Sequence, residues 1–248
     1  MRRKIVAGNW KMNKDMRGSV ELVKEIIQKN QLFGCEVYIS PAFPFLNEIS
    51  NICELTSIKV IAQNVSEKSQ GAFTGEVSVD MLKSIGVDGI IIGHSERRKI
   101  YGENDKVLRM KLDNCSKNNL EVFFCIGETL EIRKKGKQNE VIENQLNNTL
   151  FDLPDFNLDK LVIAYEPVWA IGTGKNASAE QVQEMHLYIR TLLNLRYGVS
   201  SDRIPIVYGG SLKPDNSKSI FSCPDVDGGL VGGASLNPKA FLDIISSI

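Results

Sequence analysis

Three side chains with proton-handling or charge chemistry stand just past short apolar, β-branched runs. Glu166 follows Leu161–Tyr165, His94 follows Gly89–Ile92 and one glycine, and Lys11 comes shortly after Ile5–Ala7. A carboxylate at the end of an apolar strand is costly to leave unpaired. It is either salt-bridged or tuned for proton transfer. A histidine in the same setting can serve as an electrophile or a general acid–base, and equally as a buried, hydrogen-bonded scaffold residue. Asn9 and Lys11 lie two apart, so a strand that continues that far aims both at one ligand. A lone lysine at a strand end is more simply a solvated charge. Arg97 and Arg98 follow Glu96 and are placed to neutralise it and hold the loop.

Two glycine pairs follow two other runs: Gly209-Gly210-Ser211 and Gly232-Gly233-Ala234-Ser235. Glycine lets backbone N–H groups approach a ligand closely, and a helix N-terminus beyond favours an anion. Either pair alone reads as a tight turn. The two together suit one phosphate gripped by backbone amides. Between Glu166 and a helix cap at Ser178 lies Pro167-Val168-Trp169-Ala170-Ile171-Gly172-Thr173-Gly174-Lys175. An ordinary exposed loop is more polar. This one reads as a lid that closes its apolar side over a ligand, the alternative being a plain packed connection.

The elements that must hold these residues are eight apolar runs: Ile5–Ala7, Val37–Ile39, Val60–Ala62, Gly89–Ile92, Val122–Cys125, Leu161–Tyr165, Ile206–Tyr208 and Leu230–Val231. They are continuous rather than alternating, as strands buried on both faces are. Amphipathic helical stretches separate them. Val20, Val23, Ile26 and Ile27 share a face, as do Leu108, Leu112 and Cys115, then Ile142, Leu146, Thr149 and Leu150. Ser178 with Gln181 predicts a capping box ahead of the stripe Val182, Met185, Ile189, Leu192 and Leu193. Ser78 to Ile85 is a shorter helix closed by Gly86, and Asn237-Pro238 predicts another start. Eight βα units in 248 residues fit a closed α/β barrel, and periodicity alone leaves a doubly wound open sheet as the alternative.

Composition narrows the function. Thirty basic residues balance 30 acidic ones without long runs of one sign, which argues against nucleic acid or an acidic membrane as partner. Five scattered cysteines and two histidines form no CxxC pair and no Cys/His cluster. They read as reduced thiols, not as a disulfide frame or a zinc site. No GxGxxG follows the first strand, so the expected chemistry needs neither metal nor nucleotide. The start MRRKIVAGNWKMN has too short an apolar stretch for a signal peptide, and no run is long enough to span a membrane. The expectation is a soluble cytoplasmic protein.

Seven segments carry a resemblance over the whole chain: AGNWKMN (7–13), QGAFTGEVS (70–78), GHSERR (93–98), CIGETLE (125–131), AYEPVWAIGTGK (164–175), YGGS (208–211) and DGGLVGGASL (227–236). In these the sequence closely resembles the triosephosphate isomerase family. The resemblance implies a (β/α)8 TIM barrel in one domain over residues 1–248. It implies interconversion of dihydroxyacetone phosphate and glyceraldehyde 3-phosphate without a cofactor. Glu166 then matches the base, neutral His94 the carbonyl-polarising donor, Lys11 the cation that stabilises the enediolate, and Asn9 the residue that positions its oxygens. Glu96 matches an acid beside His94 and Lys11. Gly172, Ser211, Gly232 and Gly233 match the phosphate-gripping positions. The family is usually a homodimer, and the Gln70–Glu76 stretch, with Phe73, Thr74 and Gly75, matches the segment that enters the neighbour. Asn176 stands where the family more often has a small or β-branched residue at the lid's far hinge. Two other functions compatible with the glycine turns are a phosphate-binding barrel without catalysis and a Schiff-base lyase using Lys11.

Overall fold

Each of the eight apolar runs is a strand. In chain order they are β1 (Ile5–Asn9), β2 (Glu36–Ser40), β3 (Ile58–Ala62), β4 (Gly89–Ile92), β5 (Glu121–Ile126), β6 (Leu161–Tyr165), β7 (Ile206–Tyr208) and β8 (Gly228–Val231). The computed structural model describes residues 2–29, 34–172, 174 and 176–248. Every strand runs parallel to its neighbours, and β8 pairs with β1, so the sheet closes into a barrel and the open-sheet alternative falls.

The helices are α1 (Met16–Gln28), α2 (Leu46–Cys53), α3 (Val79–Ser84), α4 (Ser95–Ile100), α5 (Asp105–Lys117), α6 (Leu130–Lys134), α7 (Gln138–Asn147), α8 (Ala179–Tyr197), α9 (Pro214–Phe221) and α10 (Pro238–Ile245). The capping box that opens α8 is present: Gln181 N–H donates to Ser178 Oγ, and Ser178 N–H donates to Gln181 Oε1. The stripe read through Leu150 is shorter than expected. Helix α7 ends at Asn147, and Leu150 belongs to a separate 3₁₀ turn. Among the described residues no helix is long and apolar enough to cross a membrane.

Why the strands lack alternation is plain from their two sides. Ile5, Ala7, Phe123, Cys125, Val162 and Ala164 belong to a cluster that fills the barrel. Val6, Val122, Phe124, Leu161 and Ile163 belong to the layer between strands and helices. Both faces are apolar, so both alternate sets must be. Inward-facing Tyr38 has its hydroxyl at the other end of the barrel from Glu166. There it meets Glu36 and Glu121 carboxylates at 2.7 and 2.6 Å, with Arg3 bound to both acids. Polar groups thus plug the floor, and the rim is left for ligands.

His186 shows how strongly the outer layer excludes water. It is fully buried on α8, with Nδ1 3.1 Å from the Asp225 carbonyl and its ring edge-on to Tyr165. Burial pushes its pKa down to about 4, from an ordinary 6.5, against smaller upward contributions from the Asp225 carbonyl and nearby acids. Between these values the unfolded chain binds a proton that the folded chain refuses, so stability rises with pH there. Lowering the pH from 7 to 4.5 is therefore expected to cost wild type roughly 2–3 kcal/mol through this residue. His186→Gln should not suffer that loss. Urea unfolding of both proteins at the two pH values checks it, and equal losses would refute it.

Candidate active site

Asn9, Lys11, His94 and Glu166 meet the two glycine turns in one place, with Glu96 reached through Lys11. A cavity of about 700 Å³ opens at the C-terminal rim of the strands, lined by Asn9, Lys11, His94 and Glu166. Gly209, Gly210, Ser211, Gly232 and Gly233 line it too, with Ile171 and Gly172 of the stretch read as a lid. In parallel α/β barrels this rim is where ligands bind.

Lys11 arrives there by a different route from the one its spacing predicts. Strand β1 stops at Asn9, and Lys11 takes a left-handed backbone, φ 52°. Its N–H donates to Asn9 Oδ1 at 3.0 Å, and its carbonyl accepts from Gln63 Nε2 at 2.8 Å. A non-glycine residue in this region carries a cost of order 1 kcal/mol or more and persists only where its surroundings hold it. The result is an ammonium that pairs with Glu96 Oε1 at 2.6 Å and lies against Gly232.

This pairing corrects the reading of the arginines. Glu96 is neutralised by Lys11. Arg97 binds Glu103 at 2.6 Å, while Arg98 binds Asp105 at 2.7 Å and donates to the Gly93 and Cys125 carbonyls. The scaffold role holds, with acids from the following segment as partners.

His94 caps α4. Its Nδ1 accepts the Glu96 backbone N–H at 3.2 Å. With Nδ1 in the accepting role, Nε2 is the ring nitrogen left to face the site. Nε2 lies 3.1 Å from Glu166 Oε1, out of line for a hydrogen bond. The buried start of the helix thus fixes the orientation of the ring.

Glu166 is 1% exposed. Its Oε2 accepts the Ser95 backbone N–H at 2.7 Å, a second use of the α4 N-terminus. A carboxylate so placed is stabilised by the helix dipole and by a charge-assisted hydrogen bond. Its side chain also needs the empty side of Gly209, where a Cβ would stand 2.9 Å from Glu166 Cγ. Cys125, fully buried beside it, has its thiol pushed well above the usual range, first by burial and then by the Glu166 charge. It stays an S–H group rather than a second anion.

The segment after Glu166 is anchored at its near end. Trp169 Nε1 donates to Glu128 at 2.8 Å, Tyr165 hydroxyl donates to the same carboxylate at 3.0 Å, and Arg133 covers the indole. Burial holds the Glu128 carboxyl above the ordinary range. Pro167 and the 3₁₀ turn Val168–Ala170 lead into Ile171, then Gly172 and Gly174 with φ 66° and 76°. Thr173 and Lys175, also read as lid, lie outside the described residues. Ser95, Glu128 and Cys125 were not singled out by type or spacing. Ser95 acts through its backbone N–H, for which side-chain motifs give no signal.

A buried carboxylate against an imidazole, a nearby ammonium and a wall of glycine backbone define a barrel enzyme built to move protons on a small anionic substrate. The comparisons agree. The family model described as Triosephosphate isomerase matches residues 4–248. Triosephosphate isomerase of Flavobacterium johnsoniae is 48% identical over 250 residues, covering all of both chains. That of Chloroherpeton thalassium is 46% identical over all of this chain and 99% of its own. That of Phocaeicola vulgatus is 47% identical over 253 residues, with the same two shares. The chain belongs to the triosephosphate isomerase family.

Proposed function

We propose that this barrel, folded as one domain, interconverts dihydroxyacetone phosphate and D-glyceraldehyde 3-phosphate through an enediolate, the isomerase step of glycolysis and gluconeogenesis. The observation that carries the reading is the pairing of Glu166 with an imidazole whose Nδ1 accepts from the α4 N-terminus and whose Nε2 faces the carboxylate. A pure phosphate binder needs neither, and the lysine at this site is engaged with Glu96.

Glu166 removes a proton from the carbon beside the carbonyl. The electron pair moves to the carbonyl oxygen, where His94 Nε2–H donates and the Lys11 ammonium offsets the growing negative charge. Asn9 positions the same oxygens. Glu166 then returns the proton to the neighbouring carbon, and His94 moves protons between the two oxygens. No other group enters the proton balance, so the isomerisation itself calls for no cofactor or metal. Backbone N–H groups at Ser211, Gly232 and Gly233 hold the phosphate, and Gly172 completes the grip from the lid. Shutting Pro167 to Lys175 over the site excludes water and protects the enediolate.

To reach the substrate Glu166 must leave the Ser95 N–H. Glu166→Asp withdraws the carboxylate by one methylene, about the 1 Å that costs roughly 10²-fold in rate. A coupled isomerisation assay is expected to show that loss with little change in KM. Wild-type rates in this variant would remove Glu166 from the role.

Two features support a homodimer. Met12 is 93% exposed and Phe73 is 42% exposed, and both sit on rim loops where a second copy would cover them. Phe73, Thr74 and Gly75 then enter the neighbour, with Thr74 near the partner's site. Sedimentation of the intact chain tests this. The balanced charge and reduced cysteines support a cytoplasmic protein without nucleic-acid or membrane partners.

A further inference from the structure

A second cavity, of about 320 Å³, lies between α4, α6 and α7 and shares a single residue with the substrate cavity: Glu166. The base is thus the partition between two spaces, and the second has no part in the reaction above. Ile126, Ile132, Val141 and Val168 make its wall apolar. Most of its polar groups are already engaged. Arg98 binds Asp105 and two carbonyls, Gln145 both donates to and accepts from the Gly127 backbone, and Glu128 holds Trp169 and Tyr165. Lys99 is different. It is exposed at the rim and has no ion pair or side-chain hydrogen bond among the described residues.

We propose that this cavity binds a small apolar carboxylate and that its occupant holds Glu166 at rest. The orientation follows from charge. Buried Glu128 and Glu166 at the inner wall repel an anion placed deep, and the Lys99 ammonium attracts one at the rim. The ligand therefore points its ring or branched chain inward, against the isoleucines and valines, and keeps its carboxylate at Lys99. The volume falls at the small end of ligand pockets and suits about ten heavy atoms.

The consequence for activity rests on the reading of Glu166 as the mobile base. A ligand packed against Glu166 and Val168 in the resting geometry loses those contacts when the base leaves Ser95 N–H and the lid shuts. It therefore binds the resting state better and shifts the population toward it. Substrate enters by the other cavity, so both can be bound at once. Because substrate is held by the shut state, the coupling is reciprocal: the inhibitor lowers kcat/KM, and substrate weakens the inhibitor without excluding it.

Phenylacetate is the probe, and phenylacetamide its uncharged control. Ligand-observed NMR is expected to give a Kd on the order of 1 mM for phenylacetate. Saturation should lower kcat/KM at least tenfold and then reach a plateau, since both ligands can be bound at once. Lys99→Met should weaken phenylacetate about fivefold and phenylacetamide not at all, as befits a rim charge. Val141→Phe fills the cavity and should abolish binding of both, with kcat in the absence of probe within twofold of wild type. No binding at 20 mM, inhibition that grows without a plateau as in direct competition, or binding that survives Val141→Phe overturns the proposal. The NMR measurement needs no turnover. A chain inactive on triose phosphates would thus sink the functional reading while leaving the binding result to be judged separately.

Discussion

Replacing Lys11 by methionine is expected to lower kcat/KM for triose phosphate isomerisation about 10³-fold, near the upper range for loss of one preorganised charge-stabilising donor. The fold should survive. Its salt bridge to Glu96 is partly exposed, and such pairs contribute about 1 kcal/mol or less. The stronger form of the prediction uses Lys11→Gly. That variant loses the same ammonium but relieves the left-handed backbone at φ 52°. Activity should fall as far as in Lys11→Met, while unfolding free energy stays within about 1 kcal/mol of wild type or rises. Steady-state kinetics and urea unfolding on the two variants separate charge from strain. If Lys11→Gly kept most of its activity, the ammonium would have no part in the transition state. If it unfolded readily, the backbone at this position would not be strained.

That experiment falls on the one site residue whose route the sequence misread. The strands were legible because burial on both faces demands unbroken apolar runs, and all eight runs are strands. Where a run was short, glycine hid its start: β8 begins at Gly228, which carries no apolar signal. The α8 capping box was readable because Ser178 and Gln181 use side chains at fixed spacing. Lys11 was not, since the period-two rule presumes that β1 continues, and a turn closed by the Asn9 side chain intervenes. Glu96 was given the wrong partner for a related reason. Sequence neighbours looked available, but Arg97 and Arg98 reach acids beyond the helix they begin, at Glu103 and Asp105. Glu166 and His94 were visible as types at strand ends. Their electrostatic setting was not, because the α4 N-terminus supplies it through the backbone N–H groups of Ser95 and Glu96. Backbone groups become legible only once the topology has set β6 one strand away from β4, with β5 between them.

Gly127→Ala should join the fold and the site in one failure. A Cβ built at Gly127 lands 1.7 Å from the Glu166 carbonyl oxygen, far inside contact distance. Neither strand end is free to yield. Gly127 N–H donates to Gln145 Oε1 at 2.9 Å, and Gln145 Nε2 donates back to the Gly127 carbonyl at 3.0 Å. Glu166 N–H is held by the Ile126 carbonyl at 2.8 Å. The added methyl must therefore push Glu166 away from β5 or tear Gly127 from α7. Overpacking of this severity is expected to cost more than about 3 kcal/mol in urea unfolding. A shift of Glu166 by about 1 Å lowers kcat by roughly 10²-fold even in the fraction that stays folded. Adding Gln145→Ala distinguishes the two ways of yielding. It frees Gly127 to move toward α7, so the double variant should be more active than Gly127→Ala and its stability losses should be less than additive. Strict additivity, with no recovery of kcat, would mean that the clamp on Gly127 does not set the position of the base.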